Sequence, residues 1–126
     1  MVLLKIGNQD NVTNYSKSNR MMYIKKTQEY FDKFSGKDIR GLSHIYSQNV
    51  SLLDWNIEVS GKEEVLNANA SLFDLYFTLE VHNITHSGDK TFNEITITIG
   101  DDVFRIMDVI TFNENYQITN ITAYKR

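Results

Sequence analysis

The chain has 126 residues, a formal net charge of -3 and no cysteine. That length suits one domain with a core of its own. The composition excludes a disulfide framework, a thiolate nucleophile and a Cys-based zinc site. The scattered charges give no basic stripe for nucleic acid, and no apolar run is long enough to span a membrane.

Residues 1–21 read as a polar, loosely held arm, and residues 22–126 as a single domain. Val2 to Ile6 is too short for the apolar core of a signal peptide, so a cytoplasmic location is expected. That segment either belongs to the arm or docks as an edge strand. Gly7 to Arg20 is rich in Asn and Ser and has no period, with Met21 or Met22 as alternative starts. Ile24 to Phe34 has helical spacing through Ile24, Phe31 and Phe34, and Gly36 is the expected stop. Asp38 is placed to cap a short second helix with Ile39, Leu42, Ile45 and Tyr46 inward. Val50 to Trp55 reads as a strand. Ser60-Gly61-Lys62-Glu63 has the form of a capping box. It opens a third helix with Val65, Leu66, Asn69, Leu72 and Phe73 on one side.

From Leu75 onward the period is two. Leu75 to His86, Lys90 to Ile99, Val103 to Phe112 and Tyr116 to Tyr124 read as strands joined by tight turns. The expectation is an α+β domain, a curved antiparallel β-sheet packed against three N-terminal helices.

Asp108 breaks the pattern of its strand. Side chains alternate across a strand, so Phe104, Ile106, Asp108, Ile110 and Phe112 share one face. A carboxylate in that row costs free energy unless it is paired or takes up a proton. The neutral form can donate a hydrogen bond. Two readings stay open: a site residue on an apolar wall, or an acid at a bulge or edge that reaches water or an Arg. The opposite face carries Val103, Met107 and Val109, for which a second copy of the chain is the expected cover. His82 and His86 lie four apart on a strand without a zinc-binding motif, and no metal is expected. His44 follows Ser43 but has no carboxylate placed to orient it.

The element order resembles the nuclear transport factor 2-like superfamily. Tyr30 to Asp38 looks like its first helix and turn. Ile45 to Asp54 looks like its second helix running into the first strand. Gly61 to Val65 looks like the start of its third helix, and Phe104 to Tyr124 like its closing hairpin. The resemblance implies a cone-shaped sheet around an apolar pocket. Within that superfamily the chain is similar to the SnoaL-like polyketide cyclases and the ketosteroid isomerases. Tyr30, Asp54 and Asp108 fall at that branch's tyrosine and two aspartate positions. The branch has Asp-Pro where this chain has Asp54-Trp55, and a longer loop before the third helix.

The resemblance implies catalysis by Asp54 as base, with Tyr30 and Asp108 as hydrogen-bond donors to an enolate oxygen and no cofactor. Phe34, Trp55, Phe73, Phe77, Ile106, Ile110 and Ile121 are the expected walls for a small apolar or carbonyl-bearing molecule. The alternative is a non-catalytic ligand-binding or dimerisation domain. In that case Tyr30 is a core tyrosine and Asp54 a strand-end residue in water.

Overall fold

The computed structural model describes residues 10–126, with side chains from residue 19 onward. The elements run α1 (Asp10–Ser35), α2 (Ile39–Ile45), β1 (Tyr46–Leu53), β2 (Glu58–Ser60), α3 (Lys62–Phe73), β3 (Thr78–Ser87), β4 (Lys90–Ile99), β5 (Asp102–Phe112) and β6 (Ile118–Lys125). The six strands form one sheet in the order β2-β1-β6-β5-β4-β3.

The first helix is longer than the sequence pattern implies. It begins at Asp10, so most of the expected loose arm is helical. Residues 10–20 contain neither Gly nor Pro. Once the apolar part of a helix is fixed by packing, extension adds a hydrogen bond for each residue ordered. Tyr116 Oη donates to Asn19 Oδ1 at 3.1 Å and ties this part of α1 to the β5–β6 connection. The proposed edge strand Val2 to Ile6 lies outside the described residues.

On the inward side of α1, Thr27, Tyr30, Phe31 and Phe34 are buried at helical spacing. The left-handed residue after α1 is Lys37 (φ 56) and not Gly36. Asp38 N donates to Lys33 O at 2.8 Å and closes the turn. Asp38 caps α2 as expected, accepting from Gly41 N at 2.8 Å. Tyr46 departs from expectation. It opens β1 directly after α2, paired in parallel with Ile118, because strand pairing there outweighs a further helical residue. The capping box is absent too. Ser60 is held extended by pairing with Ser51, one residue too early to cap. Gly61 takes the N-cap position at φ 95 with no side-chain cap bond, a conformation that glycine adopts without steric cost.

The strands β3, β4, β5 and β6 form the expected antiparallel meander. The sheet is mixed, however, because β1 runs parallel to β6. Short turns cannot join parallel neighbours, so this pairing leaves no local mark in the sequence. The helices cover the concave face, and the buried core lies between them and the sheet. No helix among the described residues is long and apolar enough to cross a membrane.

Candidate active site

Asp108 sits in the interior strand β5, opposite Asn93 of β4 and Ala123 of β6. The register is regular on both sides at this point, so the residue is at neither a bulge nor an edge. It is 7 % exposed, between Ile106 and Ile110 on the same face. No cationic side chain among the described residues pairs with it. Burial, and then the charge of Asp54, push its carboxyl up to about 7. An acid in that range is substantially uncharged at neutral pH and able to donate.

Tyr30 reaches the same cavity from α1 and is 3 % exposed. Its phenol is raised well above the ordinary tyrosine range, first by burial, then by the charges of Tyr46 and Asp108 and a hydrogen bond with Tyr46. Tyr46 Oη gives its hydrogen to Asn69 Oδ1 at 2.7 Å. The Tyr30 hydroxyl is therefore the donor to Tyr46, and the chain of donors runs Tyr30, Tyr46, Asn69. Tyr46 is raised as well, mainly by burial, with the hydrogen bond from Tyr30 acting the other way.

Asp54 follows the last residue of β1, in the turn before β2. Its Oδ1 accepts from Asn56 N at 2.7 Å and Ile57 N at 2.9 Å, an Asx-type turn. Its backbone N donates to Ile57 O at 2.9 Å. The carboxyl is thus held in place by its own turn, and it lines the cavity. Trp55 beside it stacks on Phe104, with ring centroids 6.1 Å apart. Lys125 Nζ lies 5.2 Å from the Trp55 ring centroid, on the sheet end of the same lip.

The cavity measures about 280 Å³. Tyr30, Asp54 and Asp108 all line it, as do Phe34, Trp55, Ile106 and Ile121. Phe73, Phe77 and Ile110 do not, contrary to the sequence reading. Phe73 and Phe77 pack edge-on to Phe34 at 5.1 and 5.7 Å and stack on each other at 5.9 Å. Ile110 is fully buried in the core. An apolar residue on the inward side of an element can face either core or cavity, and periodicity does not distinguish the two. The sequence reading missed Tyr46 as a partner of Tyr30. It placed Asn69 on the inward side of α3 but gave it no role. A polar residue on an otherwise apolar helix stripe was the available signal.

No curated protein matches the chain. Solved structures do. A ketosteroid isomerase candidate from Kribbella flavida DSM 17836 matches with a TM-score of 0.79 at 14 % identity, over 86 % of this chain and 80 % of that one. An LEH-like epoxide hydrolase from M. tuberculosis matches with a TM-score of 0.74 at 13 % identity, over 86 % and 85 %. A steroid delta-isomerase from Pseudomonas aeruginosa matches with a TM-score of 0.71 at 15 % identity, over 83 % and 80 %. At these identities the likeness is one of fold, and the three names span different chemistries. The SnoaL-like domain family matches residues 27–121, which runs from the middle of α1 into β6. On that match, across most of its length, the chain belongs to the SnoaL-like domain family.

Proposed function

We propose that this protein moves a proton next to a carbonyl group, as an isomerase or a cyclase, using only its own side chains. The observation that carries the reading is a buried carboxyl with an upward-shifted pKa, Asp108, facing the same apolar cavity as the phenol of Tyr30 and the carboxyl of Asp54. Asp54 acts as the base, through the oxygen not engaged by the turn. Asp108 donates to the developing oxyanion, where a water-poor wall strengthens the bond. Tyr30 donates beside it once the Asn69 amide turns to offer its N–H₂ to Tyr46. The chain of donors then reverses and the Tyr30 hydrogen is released toward the cavity.

The cavity sets limits on the substrate. At about 280 Å³ it is near the small end of ligand pockets. Its walls are mostly aliphatic and aromatic, and the acids on them are Asp54 and Asp108. A neutral, compact carbonyl compound fits that lining, and an anion is disfavoured.

The test is deuterium exchange from D₂O into a panel of neutral one- and two-ring ketones, followed by NMR. Exchange is expected with the intact protein. Asp54→Asn should lose it by about 10²–10⁴-fold while still binding ligand. Absence of exchange across the panel would favour the second reading, a non-catalytic ligand-binding domain. That reading draws on the two N–H groups that already occupy Asp54 Oδ1. On the convex face, Val103 and Tyr124 are exposed beside Met107 and Val109. A homodimer through this face is part of the proposal, checked by light scattering, where the molar mass should be that of two chains and fall to one only on dilution.

A further inference from the structure

Beside Asp108 a row of buried polar side chains links the sheet to α1. Thr27 Oγ1 donates to Tyr23 O at 2.8 Å, which commits its one hydrogen. Thr27 Oγ1 and Thr91 Oγ1 are 2.9 Å apart, so Thr91 is the donor of that pair. With its hydrogen spent, Thr91 Oγ1 accepts from Asn93 Nδ2 at 3.0 Å. Nδ2 also donates to the Asp108 backbone carbonyl at 3.0 Å. These bonds fix the Asn93 amide, because a flipped amide would set its oxygen against two acceptors. The amide oxygen must then point away from them. Asn93 is fully buried, and its Oδ1 has no partner among the described residues. A buried acceptor in that position requires an explanation.

Asn93 is the register partner of Asp108, and both side chains project from the concave face. Cβ atoms of directly opposed residues are roughly 4.5–5.5 Å apart, so the ends of two such side chains can meet. The titratable groups that face Asp108 are Tyr30 from α1, Tyr46 from β1 and Asp54 from the turn after β1. The Tyr46 hydrogen serves Asn69 and the Tyr30 hydrogen serves Tyr46. The Asp108 carboxyl has a hydrogen to give when it is neutral.

We infer that Asn93 Oδ1 accepts the Asp108 carboxyl hydrogen in the ligand-free protein, which makes Asn93 the positioning residue that aims this acid. The inference deepens the function proposed above and rests on it for its catalytic meaning. When Asp108 is ionised, carboxylate and amide oxygen oppose each other as two acceptors, so the pair favours the neutral acid. A substrate oxygen then takes over a hydrogen that is already oriented.

The experiment is a ¹³C NMR titration of ligand-free protein with Asp and Asn side-chain carbons labelled. The Asn93 Cγ signal should move with the same midpoint as Asp108 Cγ, and Asp108→Asn should abolish that movement. Asn93→Val should lower the Asp108 midpoint by roughly one pH unit, the equivalent of one neutral hydrogen bond. Asn93→Thr, which keeps a hydroxyl, should recover part of it. A flat Asn93 trace through the Asp108 transition, as a buried water on Oδ1 would give, overturns the inference. So does an unchanged or raised midpoint in Asn93→Val. If that variant fails to fold, the intact protein and Asp108→Asn decide the matter. Substrate is not needed, so a failed titration leaves Asp54-dependent exchange standing, and absent exchange leaves the titration standing.

Discussion

The two aspartates on the cavity wall are the same residue type in opposite surroundings. Asp54 sits in a turn at the lip, where two backbone N–H groups hold one of its oxygens. Asp108 sits in the interior of the sheet, opposite an amide whose nitrogen bonds its backbone and not its carboxyl. One carboxyl is fastened by backbone donors, and the other is raised by burial beside an acid. One pocket can therefore hold a proton acceptor and a proton donor made from identical side chains.

That contrast can be broken from either side. The largest effect is expected at Asp54. Asp54→Asn keeps an oxygen for its turn and loses the base, so exchange should fall by about 10²–10⁴-fold with little loss of stability. Asp108→Leu should come next, with a rate loss of about 10²–10³-fold, the usual cost of one oxyanion donor. Asp108→Asn retains an N–H donor and should lose less.

The pH dependence of stability then tests the buried acid alone. The Asp108 carboxyl is raised from 3.8 to about 7 on folding, so the native state binds the extra proton between those values. Stability from this group is full below about 4 and declines as pH rises to about 7, by up to about 4 kcal/mol. Thermal melts from pH 4 to 8 should show that decline in the intact protein and a flatter profile in Asp108→Asn. The smallest effect is expected at the lip. Trp55→Ala removes a half-exposed ring stacked on Phe104. It should raise KM several-fold and shift stability by about 1 kcal/mol or less.

Much of this was legible in the sequence where local rules apply. Strict alternation placed Asp108 among Ile106 and Ile110, and the hairpin turns fixed the meander. The same parity along Thr91, Asn93, Ile95, Ile97 and Ile99 marks Asn93 as inward-facing, although the sequence reading gave it no role. What local rules do not carry was missed. The switch from α2 to β1 at Tyr46 depends on Ile118, far along the chain. The separation of Phe73 and Phe77 from the cavity depends on how three rings pack around Phe34. The start of α1 at Asp10 reflects helix extension through polar residues, which hydrophobic period cannot register.

The parallel seam between the first and last strands also bears on how the molecule comes into being. Leu52 is matched with Ile121, and Leu53 with Thr122. During synthesis, β1 therefore has only β2 beside it in the sheet, and its other edge stays open until β6 has emerged. Pairings between such remote segments are slow to form and leave greasy surface open meanwhile. Maturation should accordingly end in a single late closing event, and a nascent chain halted before β6 should be captured by chaperones with its hollow still unsealed.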